Sequence, residues 1–241
     1  LKVSGIVSVP REQALGSPER RRAERLAALG TLAAGLAHEI RNPLNSALLK
    51  LQVLERRLRH ADRADPLEVV DTIRAELGRV DHLLSDFLAF AEPLTLDVVR
   101  ADLNGLVTEL AGSVTSSAAM LGVEVELEVD PALGQVELDA TRLRGVLSGL
   151  IENALEAMPE GGVLWLRTRA RDADGFVRVE IEDTGPGFPS DAPIFDPFYT
   201  TKASGTGLGL SIAHRVLSDH GGRILAETFP GRTRFTLLLP A

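Results

Sequence analysis

Two periodicities divide this chain. From about Ser17 to His60, apolar side chains return at spacings of three, four or seven: Leu29, Leu32, Leu36, Ile40, Leu44, Leu48, Leu51 and Leu58. Those spacings keep them on one stripe of a helix turning about every 3.6 residues. A polar stretch, His60 to Pro66, closes on a proline, which favours a helix start. The pattern then predicts a second helix to about Phe90, with the stripe Val69, Ile73, Leu77, Val80, Leu84 and Phe87, ended by Pro93. Two long amphipathic helices joined by a short turn make an antiparallel hairpin. One hairpin leaves much of both stripes in water. Two hairpins packed as a four-helix bundle cover them, so the pattern predicts a homodimer.

After Pro93 the period shifts. A helix is expected from about Asp102 to Met120. The run Val123-Glu124-Val125-Glu126-Leu127-Glu128-Val129 then alternates strictly, as a half-buried strand does. A helix follows from about Thr141 to Met158, stopped by Pro159 and Gly161-Gly162. Val163–Thr168 and Phe176–Glu182 read as strands, a helix spans about Gly207–His220, and strands close the chain near Ile224 and at Phe235–Leu239. This order predicts an α/β sandwich, with helices covering one face of a sheet, placed after the helical hairpin. Residues 1–16 carry no sustained pattern and read as linker. The expected domains are therefore 17–95 and 96–241.

Composition narrows the possibilities. Hydrophobic residues make up 44% of the 241 and aromatics only 4%, so the core is built mainly of aliphatic side chains. There is no cysteine, which excludes disulfide frameworks and thiolate metal sites and suits a cytoplasmic location. The net charge of −8 argues against nucleic acid as a partner, because duplex binding needs a clustered basic surface. No apolar run approaches the ~20 residues that cross a bilayer, so no membrane contact is expected within this stretch. The first residue is Leu1 rather than Met, so any sensor or membrane anchor is expected upstream.

The hairpin carries one string with chemical content, His38-Glu39-Ile40-Arg41-Asn42-Pro43-Leu44. Leu36 and Ile40 lie one turn apart on the apolar stripe. His38 sits about 200° round from Leu36, toward solvent, with Asn42 one turn further along the same outer face. A neutral imidazole can attack phosphorus, and the carboxylate of Glu39 can orient the ring and take its proton. Pro43 cannot bond the carbonyl of Glu39 and tends to bend the helix beside the nucleophile. Read alone, the string also fits, less well, an exposed histidine followed by solvated charges and a structural proline.

Four clusters follow in the second half. Glu152-Asn153-Ala154 lies on a helix, where an amide oxygen can complete an Mg²⁺ shell or simply face water. Asp183-Thr184-Gly185-Pro186-Gly187 follows a strand directly. Gly185 and Gly187 let the backbone approach a flat ligand, and a carboxylate can accept a hydrogen bond from an exocyclic amine such as adenine N6; an ordinary Gly-Pro turn fits as well. Phe195-Asp196-Pro197-Phe198-Tyr199-Thr200-Thr201-Lys202 can anchor a mobile loop and bring Thr201 and Lys202 to phosphate. Gly205-Thr206-Gly207-Leu208-Gly209 opens a helix, whose free N–H groups bind phosphate. It is neither a Walker motif nor a dinucleotide fingerprint, because no Gly-Lys-Ser/Thr and no βαβ unit accompanies it. Each cluster is ambiguous alone; their order and placement together point to a nucleotide.

From Leu26 to Pro240 the sequence resembles the sensor histidine kinases, which join a dimerisation and phosphotransfer hairpin to a GHKL-type ATP-binding domain. The string at His38 is similar to the phospho-acceptor box, with His38, Glu39 and Asn42 in the catalytic positions. Asn153 stands where the asparagine box holds Mg²⁺. Asp183 stands where the first glycine box reads adenine, with Gly185 and Gly187. Phe195-Asp196-Pro197-Phe198 resembles the phenylalanine box of the ATP lid, and Gly205, Thr206, Gly207, Leu208 and Gly209 resemble the second glycine box. The compact lid and its Phe-Tyr-Thr-Thr-Lys wording resemble the nitrogen-regulator-type branch.

The resemblance implies autophosphorylation of His38 from ATP and transfer to an aspartate of a response regulator, with a phosphatase role for Asn42 selected by a bend at Pro43. One departure stands out: the family usually places a further asparagine four residues before the metal ligand, and here that position is Gly149. Two rival readings remain at this stage. One is an ATP hydrolase of the wider GHKL group, which the His38 hairpin argues against. The other is a kinase-like scaffold without catalysis, for which Gly149 is the best support.

Overall fold

The computed structural model describes residues 5–7, 40–54, 56, 66–91, 95–171, 173–202 and 205–240. It divides into two compact units. Of the described residues, 40–54, 56 and 66–91 group with 197–202 and 205–208; 5–7, 95–171, 173–196 and 209–240 form the other unit. Among the described residues no helix is long and apolar enough to cross a membrane.

In the helical unit, α1 spans 40–54 and α2 spans Pro66–Ala91, beginning at the proline expected to start it. The expected turn at His60 and the helix before residue 40 lie outside the described residues. Pro43 and Ala47 are buried on α1. On α2, Val69 is 7% and Leu83 1% exposed. Glu76 sits midway between them, seven residues from each, and accepts a 2.8 Å hydrogen bond from Ser46 Oγ of α1. The face of α2 toward α1 therefore runs Val69–Glu76–Leu83. Leu77 and Leu84, also on the stripe read from sequence, are 50% and 43% exposed on this single hairpin. A period near seven fits either of two adjacent lines on a helix, and only packing decides which one faces the partner helix.

In the other unit a six-stranded mixed sheet has the order β1-β7-β8-β6-β5-β3. Its strands are β1 (Gly5–Val7), β3 (Val123–Glu128), β5 (Gly162–Arg169), β6 (Phe176–Asp183), β7 (Arg223–Phe229) and β8 (Arg232–Pro240). β3 and β5 run parallel and the remaining pairs antiparallel. β1 falls in the stretch read as linker and lies against β7 with Ile6 opposite Glu227. A two-stranded sheet pairs β2 (Val99–Ala101) with β4 (Val136–Leu138).

Three helices lie on one face of the large sheet: α3 (Leu103–Met120) over β3 and β5, α4 (Ala140–Glu156) over β6, and α5 (Gly209–Asp219) over β7 and β8. Asp102 and Asp139 cap α3 and α4, each accepting a backbone N–H three residues on, at 2.9 Å. The alternation expected for the strands brings Leu164, Leu166, Val179, Ile181, Ile224, Leu237 and Leu239 into the core beneath Leu143, Leu147, Leu150 and Leu217.

The opposite face of the sheet is polar and organised around one buried carboxylate. Glu182 is 1% exposed and meets Arg167 Nη1 at 3.3 Å, Arg232 Nη1 at 3.1 Å and Arg234 Nε at 2.7 Å. Burial alone would raise its pKa. The hydrogen bond and charge of Arg234, with Arg167 behind them, outweigh that and hold it below the ordinary carboxylate value. Trp165, opposite Glu182 in the register, lies under Arg232 at 4.9 Å and Arg167 at 5.3 Å and donates to Glu126 at 2.7 Å.

Candidate functional site

The end of β6 and the end of α4 meet at the predicted first glycine cluster. Asp183, 2% exposed, closes β6, and its Oδ1 accepts the Gly185 N–H at 2.8 Å. A side chain at Gly185 would press on Ala157, whose methyl carbon stands 3.0 Å from where the Cβ would lie. Ala157 follows α4 directly and lies one turn beyond Asn153, which is half-buried. The buried face of α4, from Leu143 through Leu155, leaves Glu152 and Glu156 in water and Asn153 at the boundary.

Thr184 stitches this corner together. Its Oγ1 accepts the Val163 N–H at 3.1 Å and donates to the Met158 sulfur at 3.3 Å. Gly187 has φ +80, and a Cβ there would collide with Thr228 Oγ1 of β7. The turn at 185–187 is thus packed closely on Ala157 and Thr228 beside a buried carboxylate, with Gly185 buried, Gly187 half-buried and Pro186 exposed.

Phe195 is buried and stacks on His214 of α5, ring centres 5.7 Å apart. Burial lowers the His214 pKa, so this ring is neutral at pH 7. Phe188 packs on Phe235 at 6.3 Å. These contacts pin the segment between the two glycine clusters at its start.

Residues 197–202 and 205–208, described within the helical unit, are drawn together by hydrogen bonds among themselves. The Phe198 N–H donates to the Gly207 carbonyl at 2.9 Å, and both residues have positive φ, +66 and +67. Thr201 is exposed and Lys202 half-buried; the Lys202 N–H donates to Thr200 Oγ1 at 3.1 Å, and the Gly205 N–H to the Lys202 carbonyl at 3.3 Å. Gly205 and Thr206 are half-buried, Leu208 is fully buried, and the Leu208 N–H donates to Thr206 Oγ1 at 3.3 Å. α5 begins at Gly209, two residues later than the sequence reading, so the glycine cluster ends where the free N–H groups of the helix start.

Of the candidate residues, the structure draws Asn153, Asp183, Gly185 and Gly187 to one corner of the α/β unit. Asn42 lies exposed on α1. His38 and Glu39 lie outside the described residues. Sequence reasoning passed over Thr184, Met158, Thr228 and His214, which shape the corner from behind; none carries a spacing signal, and only the adjacency of Thr184 to Asp183 hinted at a role.

For Mg²⁺, the half-buried amide of Asn153 offers one oxygen ligand of the kind such an ion takes, and Glu152 and Glu156, within one turn of it on α4, are exposed.

Comparison with known proteins gives two adjacent matches. Residues 28–93 match the His Kinase A (phospho-acceptor) domain. Residues 138–241 match the histidine kinase-, DNA gyrase B-, and HSP90-like ATPase family. The chain is 37% identical over 222 residues to the sensor histidine kinase ZraS of Klebsiella oxytoca, covering 91% of this chain and 47% of that protein. It is 34% identical over 224 residues to sporulation kinase C of Bacillus subtilis (strain 168), covering 91% and 51%. Among solved structures, histidine kinase ThkA in complex with response regulator protein TrrA aligns with TM-score 0.77 and 32% identity over 92% of this chain and 64% of that one. The chain spans about half the length of the curated relatives named here. With a phospho-acceptor domain followed by an ATPase domain whose glycine corner is built as described, the chain belongs to the sensor histidine kinases of two-component systems.

Proposed function

We propose that the chain binds ATP with Mg²⁺, transfers the γ-phosphoryl group to His38, and passes it to an aspartate of a response regulator. The observation that carries this reading is the corner where buried Asp183 and the close-packed glycine turn of Gly185 and Gly187 abut the end of α4 beside Asn153. Asp183 accepts from the adenine amine. Asn153 would hold Mg²⁺, which when bound offsets charge on the phosphate oxygens. The N–H groups opening α5 and the ammonium of Lys202 stabilise the same charge. The neutral imidazole of His38 attacks the γ-phosphorus in line: an N–P bond forms, the P–O bond to ADP breaks, and Glu39 takes the ring proton.

The working partition is a linker at 1–16, whose residues 5–7 add the edge strand β1 to the large sheet, a dimerisation and phosphotransfer domain at 17–95 and an ATP-binding domain at 96–241. The chain acts as a homodimer, because Leu44, Leu48, Leu51, Leu77, Leu84 and Leu88 stay exposed on a single hairpin and a second copy covers them. A response regulator as recipient is supported by the solved ThkA–TrrA complex. The site of action is the cytoplasm, where ATP and such a regulator meet. Exposed Asn42, one turn past His38, supports a second activity, positioning water to remove phosphate from the regulator.

The test is incubation with γ-labelled ATP. Label should remain on the chain as an acid-labile phosphoramidate and vanish in His38→Gln. Label surviving that substitution, or phosphate released without any labelled protein, would replace this reading with another nucleotide chemistry.

A further inference from the structure

We propose that His220 is a positioning residue for the nucleotide site, acting through Asp139; this rests on the ATP-binding reading above. His220 follows the last residue of α5. Its Nδ1 lies 2.7 Å from the Val216 carbonyl, and its Nε2 lies 2.9 Å from the backbone N of Asp139. A backbone N–H only donates, so Nε2 is the acceptor. Nδ1 then carries the proton and donates to the carbonyl of Val216. The ring is held as the neutral Nδ1–H tautomer, bonded at both ends.

Asp139 is itself a junction. It is 6% exposed, and its carboxylate accepts the Arg142 N–H at 2.9 Å, capping α4, and the Asp97 N–H at 3.0 Å, holding the chain just before β2. Burial acts to raise its pKa. The N–H groups of Arg142 and Asp97 outweigh burial and hold it below the ordinary carboxylate value. One imidazole thus joins the C-terminal end of α5 to the N-terminal end of α4.

α4 and α5 pack against each other, and this joint makes them antiparallel neighbours. Their other ends carry Asn153 and Gly209. At about 1.5 Å per residue, Asn153 lies roughly 21 Å along α4 from Asp139, and Gly209 roughly 16 Å along α5 from His220. The joint therefore fixes, from the far end, how the metal-holding amide and the phosphate-facing N–H groups stand along the two helices. A shift of one helix along the other moves those groups apart at the phosphates, where contacts must be met to a fraction of an ångström.

The test uses the full chain and a fluorescent Mg²⁺–ADP analogue. His220→Ala should weaken binding roughly fivefold, the loss expected from one interior hydrogen bond. His220→Gln, whose amide oxygen can still accept from Asp139, should bind within about twofold of the unsubstituted chain. Long-range ¹H–¹⁵N spectra should show His220 as the Nδ1–H tautomer. Unchanged binding in His220→Ala, equal weakening in both variants, or an Nε2–H signature overturns the proposal and leaves the functional reading standing. An unsubstituted chain that binds no nucleotide overturns both.

Discussion

Among the described residues, α1 and α2 leave nine large apolar side chains exposed, from Leu44 and Leu48 on the first helix to Leu84 and Leu88 on the second. α3, α4 and α5 turn their leucines onto a sheet and bury them almost completely, with Leu103, Leu143 and Leu217 at 0%. The two regions are of similar helical character, and both follow clear amphipathic patterns. They differ in what the pattern is for. In the α/β unit one apolar face per helix meets a partner within the same chain. In the hairpin, the line through Val69, Glu76 and Leu83 is spent on α1, and a second line through Leu77 and Leu84 is left over. That leftover apolar line is the surface the proposed homodimer would cover. The α/β unit needs none and is free to specialise its loops for a ligand.

The largest break in this comparison should come from charging the leftover line. Leu48→Glu with Leu84→Glu removes four buried leucines from a dimer at about 1.5–3 kcal/mol each, so dimer association should weaken by more than about a thousandfold. Analytical ultracentrifugation should then report monomer, while the melting of the α/β unit stays in place. An unaltered dimer would mean that the second copy does not use this face.

Next in size is Glu182→Ala, which strands three arginines behind the sheet and should cost the α/β unit about 3 kcal/mol in urea unfolding without changing the oligomeric state. The pH dependence follows from the same carboxylate. Its pKa in the folded chain lies below the ordinary 4.5, so the stabilisation is complete above that value and is lost as pH falls through the lowered one. The Ala variant should lose that part of the acid slope; a slope identical to the parent would show that Glu182 does not supply it.

Smaller and more local is Gly187→Ala, at φ +80 and against Thr228. It should cost about 1–3 kcal/mol of local strain and weaken nucleotide binding about tenfold or more, read by titration calorimetry, with dimerisation untouched. The smallest effect belongs to Gly149→Asn. A Cβ at Gly149 meets nothing within 4 Å, so the side chain has room. Replacing a mid-helix glycine should add a few tenths of a kcal/mol to stability, and restoring the amide should raise Mg²⁺-dependent nucleotide affinity a few-fold. Affinity unchanged with and without Mg²⁺ would show that position 149 takes no part in the site.

Much of this was legible beforehand because it is local. Helices α2 to α5 and strands β3, β5, β6 and β8 fall within a few residues of where the apolar periods placed them, since a period of two or near 3.6 expresses itself over one element. The four candidate clusters could be picked out for the same reason: each is a short string of consecutive residues. The strands β1, β2 and β4, three residues each, are too short for any period to register.

What the amino-acid order alone determined is therefore the set of elements, their order, and where the candidate residues Asn153, Asp183 and the glycines fall on them. Tertiary structure alone decided which line of α2 faces α1, that Glu182 would sit in a cage drawn from β5 and β8, and that His220 would close on Asp139 from 81 positions away. Each of those contacts joins residues on different elements. Their partners are selected by how the elements pack in three dimensions, a choice that no pattern within a single element encodes.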